Sequence, residues 1–441
     1  MALRSLAVRG ELRRVVMGSF VGTSIEWYDF FLFGSAAALV FPRVFFPQSD
    51  PNTGLLLSFM TYGVAFLARP FGGILFGMMG DRIGRKQALV ATLLVTGVGT
   101  FLIGCVPGYD TIGPLAPVLL VILRLLQGFG LGGEWGGAAT LSSEHADAHG
   151  RASSRGYLAS WIQLGVPVGN LLAVGALAIM SVAVSPEAFV AWGWRVPFLF
   201  SAVLVLVGLW IRSTVAESPL FEVEKAPEAP FREMLATQWR QVLTTIGLRI
   251  VSDTSYYVFA VFALAYVAGT LKLPSSVGLS GVIVGSLLQL IIIPGGAVIS
   301  DRIGRRPVYL AGVAAIGVWA LVAWPLIDTR DPALIILAIA LGIAAQGILF
   351  GPLAAFIVEL FSTRVRTSGA SFGFQIAGVL GGAIAPLVAQ LLLTTFKTTN
   401  AIVYLLVTVA IAVVAAVTAR ESKDDLLSDP DSVVNLRGER A

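Results

Sequence analysis

The sequence predicts an all-α membrane protein, with twelve transmembrane helices in two pseudo-symmetric six-helix bundles. Three observations carry this reading. The 441-residue chain is 56% hydrophobic and only 13% charged, more apolar surface than one soluble core of that length would hide. Its apolar residues come in runs of about 20, the length at which a helix spans a bilayer. A short charged loop also occurs twice: residues 77–86 read GMMGDRIGRK and residues 300–306 read SDRIGRR.

Taken in order, the first span, 16–40, follows Arg4, Arg9, Arg13 and Arg14 with no cleavage pattern, so it is expected to be retained behind a cytoplasmic amino terminus, residues 1–15. Spans 55–79 and 88–106 flank the first charged loop. The fourth span, 115–140, holds GFGLGGEWGG at 128–137, small residues that let helices approach closely. Spans 156–181 and 191–212 complete a first bundle over 16–212. Residues 213–240 are polar, carry Pro219, Pro227 and Pro230, and read as a cytoplasmic linker. Spans 241–269 and 277–299 precede the second charged loop, and spans 308–327, 333–357, 367–393 and 400–419 complete a second bundle over 241–420. The tail, 421–441, is short and polar without heptads, and is expected to be disordered and cytoplasmic.

The repeat is more than one loop. Asp81, Arg82, Gly84 and Arg85 recur as Asp301, Arg302, Gly304 and Arg305, a shift of 220 residues. ILRLLQGFGLG at 122–132 matches ALGIAAQGILFG at 340–351 around Gln127 and Gln346. Glu144 with Arg151 matches Glu359 with Arg366, each pair seven apart. Two copies of one membrane unit joined at the middle point to alternating access.

Lys and Arg set the expected orientation. The termini and the loops after even-numbered spans hold 22 of the 30, and the opposite loops hold four, Arg43, Lys272, Arg330 and Lys397. The positive-inside rule then places both termini in the cytoplasm, in a cell membrane. The same scatter argues against a nucleic-acid patch. Cys105 is the only cysteine, so no intrachain disulfide can form. Neither histidine, His145 or His149, lies in a span, and no metal cluster, phosphate loop or nucleophile triad is visible. No cofactor, metal or enzymatic activity is therefore expected.

Charges inside the spans are expensive and face a partner or a watered cavity. There are seven: Glu26, Asp29, Arg69, Arg124, Glu134, Arg249 and Asp253. Glu26 and Asp29 are three apart, on one face of span one. Arg124, Gln127, Leu131 and Glu134 form a stripe on span four, and Arg249, Asp253 and Tyr256 or Tyr257 one on span seven. Any proton relay here must use carboxylates. Asp29 with Arg124 is expected to carry coupling, with Glu26 and Glu134 nearby. Arg69 and Glu134 read equally well as a structural pair. Arg249 is expected to hold a substrate carboxylate, oriented by Asp253, although the same spacing suits a structural ion pair. Tyr256, Tyr257, Gln127, Gln163, Gln346 and Gln375 are the remaining pocket candidates.

The loop G-x-x-x-D-R-x-G-R-K, with Gly77, Asp81, Arg82, Gly84, Arg85 and Lys86, resembles the signature loop of the major facilitator superfamily. EWYDFFLFG (26–34), FLARPFGG (66–73), RLLQGFGLGGEWGGAA (124–139), WGWRVPFLF (192–200) and AESPLF (216–221) resemble its metabolite–proton symporter family. The resemblance covers residues 15–420 and implies two six-helix bundles around a midplane site, with uptake driven by a proton gradient. It implies that Asp29 accepts the proton beside Arg124. It further implies that Asp81, Arg85, Glu144, Arg151 and Glu217, repeated as Asp301, Arg305, Glu359, Arg366 and Glu421, form a cytoplasmic gate. Ala297 stands where the first loop has Gly77, so the second loop is expected to pack less closely. Asp253 stands where a glutamate is expected in shikimate-carrying members, a change that bears on substrate. The expected partners are a proton, a small organic acid such as a shikimate-like or aromatic monocarboxylate, and lipid, with the chain a monomer. The alternatives are a proline or betaine carrier, a di- or tricarboxylate carrier, or a non-transporting receptor.

Overall fold

The computed structural model describes residues 2–148, 152–213, 230–385, 388–389 and 401–423, with side chains described for most of them from residue 16 on. Among these residues there is no strand. The long helices are α1 (Ala2–Leu39), α2 (Pro51–Arg82), α3 (Arg85–Cys105), α4 (Leu115–Ala148), α5 (Arg155–Ala183) and α6 (Arg195–Ser213) in the first half. The second half holds α7 (Trp239–Tyr257), α8 (Ser275–Ile303), α9 (Arg305–Asp328), α10 (Pro332–Val358), α11 (Arg366–Gly378) and α12 (Ala401–Thr418). Eight of them, α2–α6 and α8–α10, are by themselves long and apolar enough to cross a bilayer. Helices α1, α7, α11 and α12 complete the two six-helix bundles.

The helices outrun the apolar runs that predict them. Helix α4 continues to residue 148 and α8 to 303, because neither extension contains a glycine or proline to break it. In the linker, residues 230–237 form a short helix. Helix α7 is continued by π-helical turns at Val258–Phe262 and Tyr266–Thr270, just beyond its polar stripe. Such turns are frequent near functional sites.

Packing follows the repeat. Helix α2 lies against α4 as α8 lies against α10, and α1 against α5 as α7 against α11. Glycine sets the first of these distances. A Cβ on Gly132 would lie 2.1 Å from the Arg69 carbonyl oxygen, and one on Gly351 would lie 2.2 Å from that of Ile293. The halves meet along α2 with α11, and along α5 with α8 and α10. Side chains such as Ile291, Trp210 and Ile179 point outward, fully in keeping with a lipid-facing belt.

Each paired loop turns on its glycine. Gly84 has φ 132° and ψ 146°, and Gly304 has φ 108° and ψ 157°, a region that only glycine adopts readily. The turn ends one helix and starts the next, α2 to α3 and α8 to α9. At Gly77 the first loop approaches α11 more closely than an alanine there would allow. Ala297 is fully buried, whereas a Cβ on Gly77 would lie 2.9 Å from the Ser368 Cα.

Candidate functional site: a charged latch and a central cluster

The two loop aspartates do the same thing to opposite halves. The Asp81 carboxylate accepts hydrogen bonds from the backbone N–H groups of Thr367 (3.2 Å) and Ser368 (2.9 Å) and from the Ser368 hydroxyl (2.6 Å). These are the first residues of α11. Asp301 accepts from the backbone N–H groups of Gly156 (2.9 Å) and Tyr157 (2.8 Å), the first residues of α5. Each aspartate thus caps a helix of the other bundle, where orphan N–H groups and the helix dipole favour an anion. A side chain on Gly156 would collide with Arg305 and Asp301, so the close approach needs that glycine.

Glutamates and arginines cross the same boundary. Glu144 of α4 binds Arg85 at 3.3 Å and Arg366, at the start of α11, at 3.0 Å. Glu359, just past α10, binds Arg305 at 3.2 Å and Arg155, at the start of α5, at 3.1 Å. The structural counterpart of Arg366 is therefore Arg155 rather than Arg151, which lies outside the described residues, as does Glu217. The seven-residue spacing pointed to Arg151 and did not single out Arg155. The better signal is local: RGYLAS (155–160) and RTSGAS (366–371) share R-x-x-x-A-S. Arg82 and Arg302 carry exposed side chains that do not enter the latch.

The chain end joins the network. Glu421 accepts from the backbone N–H groups of Arg305 (2.8 Å) and Arg306 (3.0 Å), at the first turn of α9. The Ser422 hydroxyl donates to Glu359 at 2.6 Å, and Arg155 donates to the carbonyls of Ser422 (3.3 Å) and Lys423 (3.2 Å). The rest of the predicted tail lies outside the described residues.

Further from the loops, the bundles touch through polar and aromatic groups. Gln375 donates to the Gly132 carbonyl at 3.0 Å, and Gln163 to that of Phe350 at 3.2 Å, while Gln163 also accepts from the Trp135 indole at 2.7 Å. Trp135 stacks on Phe374, with centroids 3.5 Å apart. Asn170 donates to the Tyr256 hydroxyl at 3.4 Å, and Tyr257 meets Phe66 edge-on at 5.8 Å. Gln127 and Gln346 instead wire their own halves. Gln127 donates to Thr100 at 2.7 Å, and Gln346 donates to Ser252 and accepts from Gln289, both at 2.7 Å.

The central charges are arranged differently from the latch. Asp29 is buried beside Thr100 and Arg124, yet it forms no ion pair among the described residues. Arg124 forms no ion pair with it here. Its guanidinium donates to Gln127 and to the Tyr62 carbonyl, and lies over the Phe30 and Phe33 rings at 4.6 and 4.2 Å. Glu134 pairs with Arg212 and accepts from Thr92 at 3.0 Å, so its partner is not Arg69. Arg212, counted with the loops in the sequence, is buried. Glu26 lies against Glu134 with one oxygen unpartnered. Arg249 is engaged on every side. It meets Asp253 through Nε at 2.9 Å and Nη2 at 3.2 Å, donates to the Phe374 carbonyl at 2.6 Å, and covers that ring at 3.0 Å.

Two bundles that bury charge at their shared boundary, latched at one end, have the build of a membrane transporter. Comparison with known proteins makes the class specific. Residues 15–240 match the model of the "Sugar (and other) transporter" family, and residues 245–433 match that of the Major Facilitator Superfamily. The chain is 41% identical to the shikimate transporter of Escherichia coli K12, over 84% of this chain and 85% of the relative. It is 40% identical to the inner membrane metabolite transport protein YhjE of the same strain, over 83% and 85%. It is 32% identical to that strain's proline/betaine transporter, over 94% and 84%. The proton:xylose symporter XylE bound to 6-bromo-6-deoxy-D-glucose shares the fold, with a TM-score of 0.74 at 18% identity over 96% of this chain and 99% of that one. The chain belongs to the major facilitator superfamily, and is an integral membrane protein.

Proposed function

We propose that the protein is a proton-coupled importer of a small organic acid, working by alternating access with both termini in the cytoplasm. Asp29 is the observation that carries this reading. It is an acidic side chain near the middle of the apolar span 16–40 of α1, fully buried, with no ion-pair partner among the described residues and an arginine beside it. Such a group changes charge by taking up a proton. Arg124 has two stations: Gln127 when Asp29 is neutral, and Asp29 when it is an anion. Moving between them couples protonation to the packing of α1 against α4. Glu26 and Glu134 flank this element. Arg249, Asp253, Tyr256, Tyr257, Gln163 and Gln375 form the wall that the second bundle and α5 present to the substrate. The latch on the basic face, with Asp81, Arg85, Glu144, Asp301, Arg305, Glu359 and Arg366, is the cytoplasmic gate, closed in this conformation. Ligands and protons bias the equilibrium between gate states only through their difference in affinity for the two.

The relatives that carry shikimate and that carry proline or betaine divide the substrate question. A betaine carrier needs free aromatic faces for a quaternary ammonium. Here the Phe30 face lies under Arg69 and Arg124, and the Phe374 face under Arg249, which favours an anion. The test is uptake into proteoliposomes with an acidic exterior, offered labelled shikimate, benzoate, citrate, proline and glycine betaine. Gradient-dependent accumulation of a monocarboxylate supports the proposal. Accumulation of proline or betaine alone overturns it, and binding without uptake would mean a receptor.

A further inference from the structure

We propose that Arg69 is the residue that receives the carboxylate of the transported acid. The inference rests on the organic-acid reading and deepens it. Almost every other buried arginine among the described residues is already neutralised or hydrogen-bonded. Arg85 and Arg366 share Glu144, Arg155 and Arg305 share Glu359, Arg212 holds Glu134, Arg249 holds Asp253, and Arg124 donates to Gln127. Arg69 is 2% exposed and has no ion pair or hydrogen bond to any described residue. A buried guanidinium in that condition is costly, and each unpartnered buried group asks for a reason.

The geometry supplies one. Nε and Nη2 of Arg69 are the unpartnered atoms. They lie on one edge of the guanidinium, the edge that takes a carboxylate through two parallel hydrogen bonds. The rest of the group is held in place by rings, with Phe30 at 4.2 Å, Phe66 at 4.3 Å and Trp27 at 5.7 Å. Arg69 also sits at the boundary between the bundles. Phe66, one turn before it on α2, touches Tyr257 of α7, and a Cβ on Gly73, one turn after it, would lie 3.4 Å from the Gln375 side chain of α11. Asp253 and Tyr257 of the second bundle and Glu26 and Tyr62 of the first are its polar neighbours. A ligand on the free edge would therefore contact both halves. One free cation walled by aromatic rings fits a monocarboxylate with a flat or cyclic body.

The test is binding of labelled benzoate and labelled shikimate to the purified full-length protein, competed by the neutral amide of each acid. Wild type is expected to prefer acid over amide by about 10- to 100-fold, the range of a charge-assisted bidentate contact. Arg69→Gln should lose that preference while still binding the amide, which also reports that the variant is folded. Arg69→Lys, which keeps charge without the fork, should retain part of it. Arg249→Gln should weaken acid and amide alike. If Arg69→Gln or Arg69→Lys keeps the full acid-to-amide ratio, or Arg249→Gln alone erases it, the assignment is wrong. If wild type binds neither acid, the organic-acid reading falls first, and that arm is read without any variant.

Discussion

The latch and the centre use the same residue types to opposite ends. On the basic face, Asp81, Asp301, Glu144 and Glu359 all have protein partners, most of them in the other bundle. At the centre, Asp29 and Arg69 are equally buried and have no ion-pair partner among the described residues. Charges that are matched within the protein stabilise one arrangement of it. Charges left unmatched keep their interaction capacity for something that is not protein, which on the proposed function is a proton and a carboxylate. Burial is common to both regions, and the centre also holds matched pairs, Arg249 with Asp253 and Arg212 with Glu134, so Asp29 and Arg69 are set apart by having no ion-pair partner among the described residues.

The sharpest way to break this contrast is to remove an acid from each region and compare stability. Glu359→Gln leaves Arg155 and Arg305 without their shared carboxylate. Removing one partner of a buried ion pair costs about 3–5 kcal/mol, so a large drop in thermal stability in detergent is expected. Asp29→Asn removes a charge that no partner offsets, and should leave stability unchanged or slightly raised. Equal losses in the two variants would erase the distinction.

A smaller effect is expected at the loop aspartates. Asp81→Asn and Asp301→Asn each weaken an anionic cap on a helix of the other bundle, worth about 1–2 kcal/mol. Each should raise the population open on the basic face by about tenfold, read as thiol accessibility of engineered cysteines after Cys105 is replaced. Because the two contacts are related by the repeat, the shifts should be similar. A shift in only one would mean that the latch is not symmetric.

The smallest effect belongs to the chain end. Glu421→Gln weakens two half-buried contacts to the first turn of α9, within one bundle. Accessibility should change by less than about threefold, corresponding to roughly 0.5 kcal/mol. A change as large as that of Asp301→Asn would place Glu421 among the principal gate residues.

Much of this was legible beforehand. Run length and the doubled D-R-I-G-R gave the helices and their pairing, since both depend on local properties of the chain. The glycine of that loop was readable too, because its backbone conformation excludes other residues. What stayed hidden depends on contacts across the molecule. Glu144 reaches Arg366 and Glu359 reaches Arg155, so matching pairs within each repeat pointed to Arg151. Arg212 lies at a helix end, where hydropathy cannot tell an arginine that reaches water from one that turns inward to Glu134. Asp253, four residues after Arg249, was readable as its partner from spacing alone, whereas Glu134 read as a partner for Arg69, and only the fold gives Glu134 to Arg212 and leaves Arg69 without an ion pair among the described residues.

The central claim, that Asp29 is the unmatched group that carries the proton, meets its most direct test in one pair of uptake measurements. Wild type and Asp29→Asn are reconstituted in proteoliposomes with the acid identified by the substrate panel. Accumulation under an imposed pH gradient is then measured beside exchange without one. The account predicts that Asp29→Asn loses gradient-driven accumulation while exchange persists. Full gradient-driven accumulation by Asp29→Asn would contradict it.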